Sequence, residues 1–380
     1  MRRNADAFLR VPPAAQGGSE VFYSYKTNPV PGALRVLHER GVGAEIISPF
    51  ELWLARKLGV PTARIIVNGP AKTESFLAEA VRARVGLLNI NHLEEIDAVA
   101  RVARRLRRRP AVGLRVVASG GWGGHFGVPI EGGAVLGAFA RALSCKELRV
   151  TALHSHFGAP LATRRILHGF LDQVLGLADR LFDELGFEVP ALDFGGSLPL
   201  ISDGGSLGVR DYVDVVVRRV ERHFARAKRP RPRILLEPGR ALSGDAQLLL
   251  ASVVAIKETP DRDFLILDTG MNLAEPLRHE RHALSPVTSA RRPGRRIYSV
   301  VGPTCSPTDV LYPECRLPPM RPGDVLAIHD AGAYFVPSAS SFSFPKPAVV
   351  MIDEGRSRVL RQAESFEDLI ALDGLRSRRR

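Results

Sequence analysis

Only 3 cysteines, 4 methionines and 2 tryptophans occur among 380 residues, and no run of about 18 apolar residues is present. The cysteines Cys145, Cys305 and Cys315 are odd in number and form no Cys-x-x-Cys pair, which argues against a disulfide framework and against structural zinc. No metal site is expected. The lack of a long apolar run excludes a membrane-spanning helix. Met1-Arg2-Arg3-Asn4-Ala5-Asp6 has none of the apolar stretch of a signal peptide, so a cytoplasmic protein with no membrane partner is expected. Disorder, collagen and coiled coil are excluded by composition, because hydrophobic residues (45%) and charged residues (24%) lie near the averages of globular proteins.

What the chain has in excess is positive charge, +13 from 53 Lys and Arg against 40 Asp and Glu. That balance permits an anionic partner. The arginines are nevertheless spread along the chain, with local runs only at 104–109, 291–296 and 376–380, and no helix-turn-helix or RNP-like aromatic pattern lies beside them. They read as a solvated surface, with no nucleic acid as partner.

Short runs rich in Val, Ile and Leu recur at 21–26, 43–48, 65–69, 86–90, 112–117, 150–157, 191–195 and 234–237, usually stopped by Gly, Asn or Pro. Between them, 31–40, 49–58, 74–84, 92–108, 134–143, 161–185 and 209–227 carry apolar residues at three- and four-residue spacing. Eight such units predict an α/β fold, a (β/α)8 TIM barrel over 1–242. After about Gly239 the pattern changes to alternating runs at 248–256, 264–268, 296–301, 325–328 and 348–352, with a short helix near 366–372. Residues 243–380 therefore read as a C-terminal β domain.

A barrel of this kind places its chemistry at the C-terminal ends of its strands, where Lys26, Glu45, Ser48, Asn68, Asn89, Arg115, His156, Gly195, Gly196 and Glu237 fall. A desolvated lysine there can form a Schiff base, although a surface lysine that extends its ammonium into water is the plainer reading of Lys26 taken singly. Asp193-Phe194-Gly195-Gly196-Ser197 offers backbone N–H groups to a phosphate, or is a turn. Glu237-Pro238-Gly239-Arg240 stands where barrels commonly hold phosphate, or is a Pro-Gly turn beside an ion pair.

Taken in order, Tyr25-Lys26-Thr27-Asn28-Pro29, His154-Ser155-His156-Phe157-Gly158, Asp193-Phe194-Gly195-Gly196, Glu237-Pro238-Gly239-Arg240, Gly302-Pro303-Thr304-Cys305 and Gly332-Ala333-Tyr334 resemble the fold-type III pyridoxal-phosphate decarboxylases. Diaminopimelate and ornithine/arginine decarboxylases belong to this family. The resemblance spans about 20–352 and implies pyridoxal 5'-phosphate as cofactor and a small amino-acid-like substrate. It implies that Lys26 forms the Schiff base and that His156 stacks on the pyridine ring. Gly195, Gly196, Ser197, Gly239, Arg240 and Tyr334 would hold the phosphate, and Glu237 the pyridine nitrogen, with Glu45 and Arg115 in support. Cys305 would return a proton to Cα, and its loop would reach the partner subunit's site, so a homodimer with shared active sites is implied. Asp309, Ser306, Glu275 and Arg278 fall where substrate would bind.

A carboxylate at the pyridine nitrogen keeps it protonated and able to accept the electrons left when CO2 departs, so Glu237 favours decarboxylation over the racemase alternative, in which an arginine tends to stand there. A catalytically dead regulator of the same fold is a further alternative, disfavoured by the presence of Lys26, Cys305 and Tyr334. Several residues depart from the family. Ser197 replaces a third glycine, and Ala159 stands where a serine often contacts the cofactor. Met1 is expected to begin inside the first helix, where relatives have a preceding strand, so either the start lies upstream or the β domain does without that strand. Ser306 follows Cys305 in place of an acidic residue, and Glu275 precedes Pro276 in place of an arginine. These last two point away from diaminopimelate, ornithine, lysine or arginine decarboxylase proper, and toward a modified or conjugated amino acid of specialised metabolism.

Overall fold

The computed structural model describes all residues except 11, 12, 15, 16, 19, 201–206, 289–292 and 374–380. The arginine-rich 376–380 and residues 291 and 292 of the other run lie outside the described residues. Two compact units are present, one made of residues 1–27 and 34–243, the other of 28–33 and 244–380.

In the first unit, eight parallel strands close into a barrel: Glu20–Ser24, Gly43–Ile46, Ile65–Val67, Leu87–Ile90, Ala111–Val117, Arg149–Ser155, Ala191–Asp193 and Arg233–Leu236. Pairing of the fourth strand with the fifth, and of the eighth with the first, completes the ring. Most strands stop one or two residues before the apolar-polar pattern does, so Lys26, Asn68, His156, Gly195 and Glu237 begin the loops, while Glu45, Asn89 and Arg115 stay on their strands. Helix starts follow from their caps. Ser48 Oγ accepts the Glu51 N–H at 3.2 Å with Pro49 as the first helical residue, and Thr73 Oγ1 accepts the Phe76 N–H at 3.3 Å.

Side chains two residues apart on a strand share a face. Phe22 and Ser24, Gly43 and Glu45, Ile66 and Asn68, Leu87 and Asn89, Gly113 and Arg115, Ala152 and His154, Ala191 and Asp193, and Leu235 and Glu237 are eight such pairs. The first members that carry large or methyl side chains pack into one buried apolar cluster, the barrel floor. Every second member is buried and polar. Glycine at 43 and 113 makes room, because a Cβ at Gly43 would lie 2.5 Å from the Phe22 ring and one at Gly113 would lie 2.1 Å from Asn89 Oδ1.

In the second unit six strands run in the order Leu284–Pro286, Val325–Ile328, Leu249–Glu258, Asp263–Leu267, Arg296–Val301, Val310–Leu317. All neighbours are antiparallel except Asp263–Leu267 and Arg296–Val301. Leu265, Leu267, Tyr298, Val300, Leu326 and Ile328 form its core. A hairpin, Val349–Asp353 with Arg356–Arg361, stands apart from this sheet. Three of these strands, 284–286, 310–317 and 356–361, were not expected from the sequence. Residues 28–33, expected in the barrel, group with the second unit, where Asn28 Nδ2 donates to Gln247 Oε1 at 3.0 Å and to the Gly332 carbonyl at 3.2 Å.

Phe22→Ala empties the centre of the barrel floor and should destabilise the protein by about 3–5 kcal/mol, as large aromatic truncations in cores do. Equilibrium urea unfolding measures it, and a loss under about 1 kcal/mol would show that the floor is not tightly packed.

Candidate active site

Lys26 lies in the one-turn helix Tyr25–Thr27 that follows the first barrel strand. Its ammonium donates to Glu45 Oε2 at 2.6 Å and to Ser24 Oγ at 2.6 Å, while Ser24 Oγ donates to the same carboxylate oxygen at 2.5 Å. The Lys26 side chain keeps 37% of its surface exposed, whereas Glu45 keeps 1%. The lysine is thus held by its ammonium, while part of its side chain stays exposed at the barrel mouth.

A hydrogen-bonded chain runs inward from Glu45. Asn68 Nδ2 donates to Glu45 Oε1 at 3.0 Å and to both oxygens of Glu237 at 2.8 and 3.0 Å. Asn89 Nδ2 donates to Asn68 Oδ1 at 2.8 Å and to Asp193 Oδ2 at 3.1 Å, and the Gly195 N–H donates to Asp193 Oδ1 at 3.0 Å. His154 Nε2 lies 3.6 Å from Glu237 Oε2, an ion-pair separation too long for a hydrogen bond.

Burial by itself would raise the Glu237 pKa. His154, Lys26 and the Asn68 amide outweigh it and hold the carboxyl down to about 2. Asp193 moves the other way, pushed well above the ordinary carboxylate range by burial and by the neighbouring Glu237 charge. The pair shares its burden by keeping Glu237 ionised and Asp193 protonated. His154, Asp193 and Glu237 have ligand atoms within 4.8 Å of one another, a spacing that a metal could also use, but their carboxylates already accept from Asn68, Asn89 and Gly195.

His156 stands at the mouth, partly open to solvent but crowded enough that burial, with Arg115 and Lys26 nearby, pushes its imidazole down to about 3. It is neutral at physiological pH. Its Nδ1 accepts the Gly196 N–H at 3.0 Å. Gly195 adopts φ +61°, and a Cβ there would lie 2.5 Å from His156 Nδ1, while one on Gly196 would lie 2.7 Å from the Glu237 carbonyl oxygen. Only side-chain-free backbone fits between the imidazole and the glutamate. Ser197 follows at φ +72°, in the left-handed region that glycine tolerates best. A Cβ on Gly239 would meet Thr27 Oγ1 at 2.1 Å, so the turn before Arg240 passes tightly against the lysine turn.

Arg115 is buried, its guanidinium 4.5 Å from the Phe126 ring centroid, and its Nε has no hydrogen-bond partner among the described residues. Five members of the ring were given no role from sequence: Asn68 and Asn89, named only as strand-end residues, and Ser24, His154 and Asp193. The last two stand inside recognised motifs, and their two-residue offset from His156 and Gly195 was the available signal.

The remaining expected residues belong to the second unit. Cys305 is exposed. Ser306 Oγ lies 2.9 Å from Thr308 Oγ1. Asp309 was expected beside the substrate. It is instead buried, and its oxygens accept from Met271 N at 2.7 Å, Thr304 N at 2.9 Å and Thr304 Oγ1 at 2.6 Å, so its carboxylate is committed to holding the Cys305 loop. Glu275 and Arg278 lie in the short turn Glu275–Arg278, the first half-buried and the second exposed. Tyr334, at φ +68°, precedes the turn Phe335–Ser338.

Residues 5–244 match the family described as pyridoxal-dependent decarboxylase, pyridoxal binding domain. Diaminopimelate decarboxylase of Aquifex aeolicus is 28% identical over 366 residues, covering 92% of this chain and 84% of that protein. The diaminopimelate decarboxylase of Actinosynnema pretiosum subsp. auranticum is 31% identical over 385 residues, covering 97% and 86%. The crystal structure of diaminopimelate decarboxylase from Methanocaldococcus jannaschii in co-complex with L-lysine matches with a TM-score of 0.90 at 26% identity, over 98% of this chain and 89% of that one. The geometry suits the cofactor this family uses, since a mouth lysine, a buried carboxylate held ionised, a loop that no Cβ could enter and an unpartnered arginine Nε complement an aldehyde, a ring nitrogen and an anion. Because the pyridoxal-binding match runs through the whole barrel and the solved relative follows almost the entire chain, this chain belongs to the fold-type III pyridoxal-phosphate-dependent decarboxylases and is a carboxy-lyase.

Proposed function

We propose that the chain decarboxylates diaminopimelate or an amino acid of the same kind, with a second ionic group at its distal end. The observation that carries this is the near full-length similarity to proteins of that name, over 92% and 97% of the chain in the two relatives described. The bound L-lysine of the Methanocaldococcus jannaschii structure supports a basic amino-acid frame. A modified or conjugated substrate is the second reading, favoured by Ser306 and Glu275 at the two departures from the family pattern. Specialised metabolism, expected from the sequence, finds no support in these relatives.

When bound, pyridoxal phosphate supplies the electron sink that receives the pair left by departing CO2. The residues of the chain divide the remaining work. The Lys26 amine would attach the cofactor, and Glu45 and Ser24 hold and aim that amine. Glu237, favoured as the anion, would keep a proton on the ring nitrogen of the bound cofactor, and Asn68 donates to both its oxygens. His156, as a neutral imidazole, would lie against the cofactor's ring. The loop of Gly195, Gly196 and Ser197, with Arg240 and Tyr334, takes the phosphate, and Arg115 adds positive charge. The Cys305 thiol returns a proton to Cα, and Asp309 positions its loop. The active species is a homodimer in which each site combines one barrel with the other subunit's Cys305 loop.

Lys26→Ala should lose the visible band that borohydride bleaches and nearly all turnover. Unchanged absorbance and borohydride labelling would falsify its role as the attachment point. Cys305→Ala should keep the cofactor and lose about 10²-fold in turnover, a usual general-acid contribution, or divert product to misprotonated forms. Mixing Lys26→Ala with Cys305→Ala protein under exchanging conditions should restore part of the activity. An active species that sediments as a monomer, or mixtures that never recover, rules out shared sites.

Substrate choice is decided by kcat/KM across a panel of free and conjugated amino acids. Free diaminopimelate above about 10⁴ M⁻¹s⁻¹, the range of ordinary enzymes on their own substrates, upholds the main reading. A value orders of magnitude lower, with a conjugate preferred, upholds the second, because a distal charge left unpaired in the site is strongly disfavoured.

A further inference from the structure

Ser197 occupies a backbone conformation that disfavours any side chain, φ +72°, at a point where glycine would fit without strain. Its hydroxyl sits between two donors. The Gly158 N–H donates to Ser197 Oγ at 2.8 Å, and His156 Nε2 lies 3.4 Å from the same oxygen. At the other edge of the ring, His156 Nδ1 faces the Gly196 N–H at 3.0 Å. A backbone N–H can only donate, so Nδ1 carries no proton. In a neutral imidazole the remaining proton is then on Nε2, and Nε2–H must donate to Ser197 Oγ. A hydroxyl oxygen accepts twice and donates once. Both acceptor positions of Ser197 are filled by Gly158 and His156, and its own hydrogen is still to be given.

We infer that Ser197 is a positioning residue that locks His156 as the Nε2–H tautomer, ties the glycine loop to the 158 turn, and gives its own hydrogen to the anionic group held by that loop. The last clause rests on the proposed role of the loop as phosphate cradle. The first two rest on the protein alone. The Ser197 carbonyl, which accepts the Leu161 N–H at 2.9 Å, fixes the direction of the side chain from the backbone side. The hydroxyl therefore links three parts of the mouth that the strands do not join: the imidazole, the turn after it and the glycine loop.

The test uses full-length protein with ¹⁵N-labelled histidine, His156 being assigned by the signal lost in His156→Gln. Wild-type protein should show Nδ1 unprotonated and Nε2 protonated. In Ser197→Ala and in Ser197→Gly, which also relieves the backbone strain and so guards against misfolding, the His156 signals should shift or broaden toward a tautomer mixture. Unchanged His156 nitrogens in a folded Ser197→Gly protein would overturn the inference. The second arm compares cofactor affinity by absorbance and fluorescence titration. Ser197→Ala should weaken pyridoxal phosphate by about tenfold or more, as loss of a hydrogen bond to a charged group does, and leave unphosphorylated pyridoxal almost unaffected. Equal weakening of both overturns the donation to the anion. If wild-type protein binds neither compound, the cofactor reading of the loop fails, and the tautomer readout still decides the role of Ser197 toward His156.

Discussion

Glu45, Asp193 and Glu237 share one buried ring at the upper end of the barrel, and three carboxyl groups so enclosed cannot all be ionised without compensation. The rest of the site follows from how that repulsion is resolved. Lys26 neutralises Glu45, Asp193 keeps its proton, and Glu237 remains charged because His154, Lys26 and Asn68 favour its anion. Two asparagines transmit this arrangement. Their amides can donate in two directions at once, so Asn68 binds both glutamates and Asn89 joins Asn68 to Asp193. A carboxylate at either position would add a fourth acid to the ring. The neutral amide aims the carboxylates without changing the count.

The barrel was legible in the sequence because each strand is a short apolar run closed by a residue that cannot continue it, and all eight occur in the structure. The ring above the floor was half legible. Glu45, Asn68, Asn89, Arg115 and Glu237 stood out as polar residues at strand ends, but Ser24, His154 and Asp193 look like ordinary members of their strands until the inward parity of each strand is known. The second unit was harder to read. Val310–Leu317 contains Pro313 and charged residues, which only an edge position accommodates, and it is indeed the last strand of its sheet. Arg356–Arg361 has three arginines in six residues, so no apolar alternation marks it. Leu284–Pro286 ends in proline at the other edge of the sheet.

Asp309 shows how a residue that a motif singles out can be committed by the fold to holding its own loop. Its place four residues after Cys305 suggested contact with substrate. In the fold, a Cβ on Gly270 would approach it to 2.5 Å and one on Gly302 to 2.4 Å, so the carboxylate occupies space that two glycines leave for it. Sequence gives the spacing of a loop but not which of its side chains turn inward. Gly270 and Gly302, packed together beside Asp309, were the clue, since close approach of a carboxylate to two backbone segments requires that neither carry a side chain.

The apolar floor beneath the polar ring also acts as an insulator. Phe22, Ile66, Leu87 and Leu235 set an apolar layer beneath Glu237 and Asp193 that offers those groups no hydrogen-bonding partner, so their partners lie within the ring and toward Lys26. Lys26, 37% exposed at the mouth, gives the ring a route by which its protons reach solvent. A ligand seated at the mouth covers that route, so ligand entry and proton exchange compete for the same opening.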